Sequence, residues 1–144
     1  MLPLSLNISS KIEVENKTFF SKNGYHVSLL CLENLSESNQ KMVLEFARKY
    51  TVKLQKITKI YRLVTQGNQQ SIIVRVYLKG LRDLINAVNR HFDCNFVYPP
   101  THITLFTLKN QYGIPINSNS EYRQLTRKIS SKDLRILKKS FKLI

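Results

Sequence analysis

Residues 71–92 read SIIVRVYLKGLRDLINAVNRHF, and the period of their apolar positions changes partway along. From 71 to 79 the period is two. Ile72, Val74, Val76 and Leu78 fall on one side, and Ser71, Ile73, Arg75, Tyr77 and Lys79 on the other. Such alternation belongs to a strand with one face on a core. Gly80 interrupts it. Beyond, Leu81, Leu84, Ile85 and Val88 recur at helical spacing, which predicts an amphipathic helix over 81–92. A strand that passes straight into a one-sided helix describes a sheet with helices packed outside it, an α+β arrangement.

The flanking sequence extends this pattern. VKLQKITKIYRLVTQ (52–66) reads as a long strand, joined to the next through GNQQ (67–70) as a hairpin-type turn. SESNQKMVLEFARKY (36–50) predicts a helix capped by Ser36 or Ser38, with Met42, Val43, Phe46 and Ala47 as its apolar stripe. YHVSLLCL (25–32) reads as a strand, and residues 8–20 as a strand or hairpin arm followed by the turn SKNG. THITLFTL (101–108) is the last strand. Its period of two puts His102, Thr104 and Phe106 on one face and Ile103, Leu105 and Thr107 on the other.

Residues 110–126 look loop-like, and 130–144 read as a capped basic helix or a frayed tail. The middle of the chain runs strand–helix–strand twice. The expected fold is therefore α+β with two pseudo-symmetric lobes, an antiparallel-rich sheet, a concave open face and helices outside. The expected organisation is one domain over 1–144 with its core at about 5–110, most simply a monomer.

The 144 residues carry 23 Lys and Arg against 9 Asp and Glu, a formal net charge of +14. Such a field attracts polyanions: nucleic acid, nucleotides or an anionic membrane surface. Two cysteines, Cys31 and Cys94, are too few for a disulfide framework or a Cys-rich zinc site, and read as buried free thiols. No apolar stretch approaches the ~20 residues of a membrane span. The opening MLPLSLNISSK lacks the basic n-region of a signal peptide, so a reducing, cytoplasmic setting is expected.

Two short motifs carry chemistry. YHVSLL contains His26 and Ser28, and THITLF contains His102 and Thr104; both have the form His–apolar–(Ser/Thr)–apolar, 76 residues apart. Either histidine alone would be read as a core residue. The two pairs fall at matching places, on the first strand of the first unit and the last strand of the second. On a strand, residues i and i+2 lie ~6.5 Å apart on one face. An imidazole and a hydroxyl so placed can both reach one phosphate. Two such pairs side by side supply a general base and a general acid on opposite sides of one phosphorus, and histidine suits both tasks. His91, at the end of the second helix, lacks this context.

At these residues the chain resembles the two-histidine phosphoesterase superfamily, whose signature is two H-φ-(S/T)-φ motifs in pseudo-symmetric lobes. The resemblance covers roughly residues 5–110. It implies metal-independent cleavage of RNA-type phosphodiesters without a cofactor, with His26 and His102 catalytic and Ser28 and Thr104 on the phosphate. The chain is shorter than the cellular members and carries Phe106 where they often have a basic residue.

Its compactness and its Asn-, Lys-, Ile- and Ser-rich style look more like the viral branch, the 2′,5′-oligoadenylate phosphodiesterases, which include rotavirus, torovirus and coronavirus domains. That likeness implies a 2′,5′-oligoadenylate or RNA-type nucleotide as substrate and antagonism of host RNase L. It also implies action in the host cytoplasm or the virion, and a domain of a longer polypeptide. The alternatives are an RNA end-processing 2′,3′-cyclic phosphodiesterase and a catalytically silent RNA-binding domain.

Four further residues are candidates for substrate contact. Arg75 and Tyr77 share the strand face assigned to the histidines, where they could neutralise phosphate or stack on a base. Tyr98 and Tyr112 lie on loops flanking the second motif.

Overall fold

The computed structural model describes residues 2–108 and 112–143. In chain order the elements are β1 (Leu2–Leu4), β2 (Leu6–Ile8), β3 (Lys11–Val14), β4 (Lys17–Ser21), β5 (Tyr25–Val27), α1 (Glu37–Ala47) and β6 (Lys53–Gln66). They continue with β7 (Gln69–Lys79), α2 (Leu81–Phe92), β8 (His102–Leu108), α3 (Asn119–Leu125), β9 (Thr126–Lys128), α4 (Ser131–Ser140) and β10 (Phe141–Leu143). The main sheet has the order β1-β5-β8-β7-β6-β9, with β4 pairing both β3 and β8. Every pairing in it is antiparallel. The molecule is α+β, an antiparallel sheet with its helices outside, and the units β5-α1-β6 and β7-α2-β8 share that sheet.

The stretch 71–92 folds as its pattern requires. Ile72, Val74, Val76 and Leu78 enter the main core together with Leu81, Leu84, Ile85 and Val88 of α2. Gly80 makes the switch abrupt: it takes φ +93°, and a Cβ there would stand 2.3 Å from the Thr51 carbonyl oxygen. At α1, Ser36 accepts from the Asn39 N–H, and Val43 is buried. The stripe is narrower than expected, because Met42 faces solvent at 54% exposure.

Three departures from the sequence reading have physical causes. The strand expected over 25–32 stops at Val27. Continued in the register of Val27 and Ile103, it would set Leu30 and Cys31 against Pro100 and Pro99, which have no N–H to donate. Residues 28–35 therefore leave the sheet as a loop. Second, Ile72 pairs with Phe106 but Ile73 with Thr104, so Leu105 is an extra residue, a β-bulge. The bulge reverses the parity beyond it. Phe106 turns away from His102 and Thr104 into the main core, fully buried, and Thr107 lies across from Ser71 instead.

Third, the segment read as a loop after residue 110 contains α3 and β9. Ser118 caps α3 by accepting from the Glu121 N–H, and β9 extends the sheet along β6. Ile114 and Ile116 pack with Val64 and Ile73 as a second small core, which explains an isoleucine on the side of β7 expected to be open. The packed body thus reaches past residue 110, with Ile129 and Leu137 in the main core. Among the described residues, no helix is long and apolar enough to cross a membrane.

Candidate active site

The site is built on one pair of residues. Val27 of β5 and Ile103 of β8 face each other across an antiparallel pairing, both fully buried in the core. Side chains alternate along strands, so the residues on either side of this pair project to the opposite face. Antiparallel direction sets His26 across from Thr104, and Ser28 across from His102. The four make a square in which the histidines occupy one diagonal and the hydroxyls the other. A diagonal of this kind spans ~7–8 Å, room for a phosphate between the two rings. All four residues line a single cleft of about 870 Å³. The local two-fold passes between Val27 and Ile103 and relates one motif to the other.

The backbone around His102 is fastened on three sides. Val76 N–H donates to the Thr101 carbonyl (3.1 Å), the Thr101 hydroxyl donates to the Val76 carbonyl (2.7 Å), and Arg75 Nε donates to the Thr101 carbonyl (3.1 Å). The ring itself is oriented by His102 Nδ1, 2.9 Å from the Pro100 carbonyl oxygen. A carbonyl only accepts, so Nδ1 carries the proton, and the neutral ring keeps its lone pair on Nε2.

Burial holds the His102 pKa below its ordinary value. The Pro100 contact opposes that shift, while the positive charge of Arg75 and the nearby His26 add to it. The His26 pKa is also lowered, first by burial and then by Lys22. His102 is the more deeply enclosed of the two.

The other candidates are distributed unevenly. Arg75 pairs in register with His102, but its guanidinium is engaged by Thr101 and lies 4.8 Å from the centre of the Tyr122 ring; it lies outside the cleft lining. It acts on the site through the Thr101 backbone and through its charge. Tyr77, 52% exposed, lies farther along β7 and outside the lining. Tyr98 packs on the main core under the Arg82 guanidinium, 4.8 Å from its ring centre, and is likewise outside it. Tyr112 does line the cleft, at its mouth and 88% exposed.

Two contributors escaped the sequence reading. Lys22 lines the cleft beside His26 from the turn that follows β4. The segment from Tyr112 to Asn117 forms a wall, and within it Gly113 lies so close to Thr104 that a Cβ would meet the Thr104 hydroxyl oxygen at 3.0 Å. Its only sequence signal was a glycine and a proline in a polar stretch. Gly113→Ala is therefore expected to displace the Thr104 hydroxyl and, for the activity proposed below, to lower kcat/KM about tenfold, with a change in melting temperature of a few degrees at most. Steady-state kinetics beside a thermal melt check this; unchanged kinetics would show that Thr104 needs no such approach.

In comparisons with known proteins, no family model, no curated protein and no solved structure matches the chain.

Proposed function

We propose that the protein is a metal-independent phosphodiesterase of the two-histidine kind that cleaves 2′,5′-linked oligoadenylate in the host cytoplasm and so withholds the activator of RNase L. The observation that carries this reading is the square: two histidines on one diagonal and two hydroxyls on the other, about one cleft in a strongly basic protein. A phosphate centred there receives hydrogen bonds from Ser28 and Thr104. Lys22 adds positive charge to the same cleft.

His102 is the base, because its bond to Pro100 leaves the Nε2 lone pair free. In a 2′,5′ linkage the 3′-hydroxyl lies next to the phosphorus. His102 Nε2 takes its proton as O3′ attacks, the P–O5′ bond breaks, and His26 gives its proton to the departing O5′. The products are a 2′,3′-cyclic phosphate end and a free 5′-hydroxyl. His102 ends protonated and His26 neutral, and exchange with water resets the pair. A 3′,5′ linkage presents the neighbouring hydroxyl on the other side of the phosphate.

The pH dependence follows from the directions of the shifts. Activity rises as the base loses its proton and falls as the acid loses its own. Both values are lowered from 6.5 in the free protein, so kcat/KM is expected to be bell-shaped with its maximum on the acid side of pH 6.5. A maximum at pH 8 would contradict this.

The reading itself is tested with 2′,5′-linked triadenylate, its 3′,5′-linked isomer and a 2′,3′-cyclic nucleotide, all in chelator. Selective loss of the 2′,5′ isomer is expected. Opening of the cyclic nucleotide alone would move the function to RNA end processing, and RNA binding with no turnover of any of the three would make this a binding module.

A further inference from the structure

The cleft extends well beyond the four central residues, and it extends asymmetrically. The chain leaves the square at Ser28 and enters it at His102, and these two residues face each other across the strands. The loop following Ser28 and the loop preceding His102 therefore rise from the same edge as opposing walls. Leu29, Leu30 and Leu32 line the cleft from one loop, and Phe96, Val97 and Pro99 from the other; the three leucines and Phe96 also pack on the main core. Val97 is 62% exposed, an apolar side chain that no core contact requires at that place.

Each wall is held by an amide side chain from the helix behind it. Gln40 Nε2 of α1 donates to the Leu35 carbonyl at 2.9 Å. Asn89 of α2 holds Phe96 in both directions: its Nδ2 donates to the Phe96 carbonyl (2.9 Å), and its Oδ1 accepts from the Phe96 N–H (2.8 Å). The walls are set before a ligand arrives, which lowers the ordering cost of binding.

Apolar side chains on two held loops offer surfaces on which a flat ring can stack. The polar side chains of this arm are Glu33 and Asn34 on one wall and Asn95 on the other, with the thiols Cys31 and Cys94 beside them. Amides read a heterocycle edge that offers a donor beside an acceptor, as adenine does. We infer that this arm of the cleft is a nucleobase slot, and that it receives the base of the nucleoside whose 3′-hydroxyl attacks. The inference rests on the reading of His102 as base. That nucleoside must present its hydroxyl to His102, on the edge of the square from which the slot rises. The leaving nucleoside then lies toward His26 and Thr104, where Tyr112 is 88% exposed and encloses little. Base selectivity belongs to the nucleoside that keeps the phosphate, and the departing one is tolerated broadly.

Mixed 2′,5′-linked dinucleotides test this. A2′p5′U is expected to be cleaved about tenfold faster in kcat/KM than U2′p5′A, a difference Asn95→Ala removes. Asn89→Ala is expected to raise KM for A2′p5′U about tenfold with kcat within about threefold, because the wall loosens while the square stays. Should Asn89→Ala fail to fold, Asn95→Ala on its exposed loop keeps the test open.

A second measurement separates the slot from the reaction. Adenosine 2′-monophosphate should bind the wild-type protein about tenfold tighter than adenosine 5′-monophosphate, again through Asn95. No cleavage together with that binding preference would remove the proposed reaction and leave the slot standing. Equal binding of the two, or selectivity that follows the departing nucleoside, would overturn the slot.

Discussion

Replacing either His26 or His102 with alanine is expected to lower kcat on 2′,5′-linked oligoadenylate by about 10²–10⁴ while the circular dichroism spectrum stays unchanged. The two losses should not multiply. In the proposed mechanism base and acid act in one displacement, so a protein lacking both should be little slower than one lacking either. Both imidazoles rise from a strand pair whose packing is carried on the other face by Val27 and Ile103. Truncating them therefore leaves the core intact. His102 has the larger structural role of the two, since it satisfies the Pro100 carbonyl. His102→Asn keeps a donor near that carbonyl without a titrating base, and it should be as inactive as the alanine variant. Activity within threefold of wild type for any of these variants would remove the histidines from the chemistry.

Phe106 is expected to be the most damaging single position for stability near the site. The bulge at Leu105 turns it into the core, where it is fully buried. Phe106→Ala should cost about 3–5 kcal/mol in denaturant unfolding, the range for a large side chain lost from a packed interior. Phe106→Lys should leave no folded protein, because an ammonium there would be buried without a partner. Cellular two-histidine phosphoesterases often carry a basic residue at the place after the second motif; at residue 106 of this fold a basic residue could not be accommodated. If Phe106→Lys were folded with a melting temperature near wild type, the bulge would be misplaced and residue 106 would face the cleft.

The bulge also marks the boundary between what the sequence made legible and what it did not. Period-two and period-3.6 patterns belong to long regular elements, and β6, β7 and α2 appeared where the apolar spacing put them. The local two-fold was legible for the same reason, since two short motifs on half-buried strands must present the same face. A single inserted residue carries no such signal. Nothing in THITLFTL distinguishes a regular strand from one bulged at Leu105; the pairing with β7 on one edge and with β5 and β4 on the other decides it.

The early end of β5 could have been read from Pro99 and Pro100, but only by someone who already knew that β5 and β8 are neighbours. α3 is seven residues long and buries none of its own residues, so it has no stripe to recognise. Arg75 shows the reverse case. Its strand face was correctly placed beside His102, yet its guanidinium serves Thr101 and Tyr122, a choice of partners that alternation cannot encode.

The central claim is that two histidines move protons on opposite sides of one phosphorus, with His102 as base and His26 as acid. The most direct test is a 2′,5′-linked substrate whose bridging 5′-oxygen is replaced by sulfur. A thiolate leaves without being protonated, so the acid becomes dispensable and the base does not. On this substrate His26→Ala is expected to recover to within about tenfold of wild type, while His102→Ala stays slow by about 10²–10⁴. Recovery of His102→Ala instead would reverse the two roles, and equal loss in both variants would contradict the division of labour altogether.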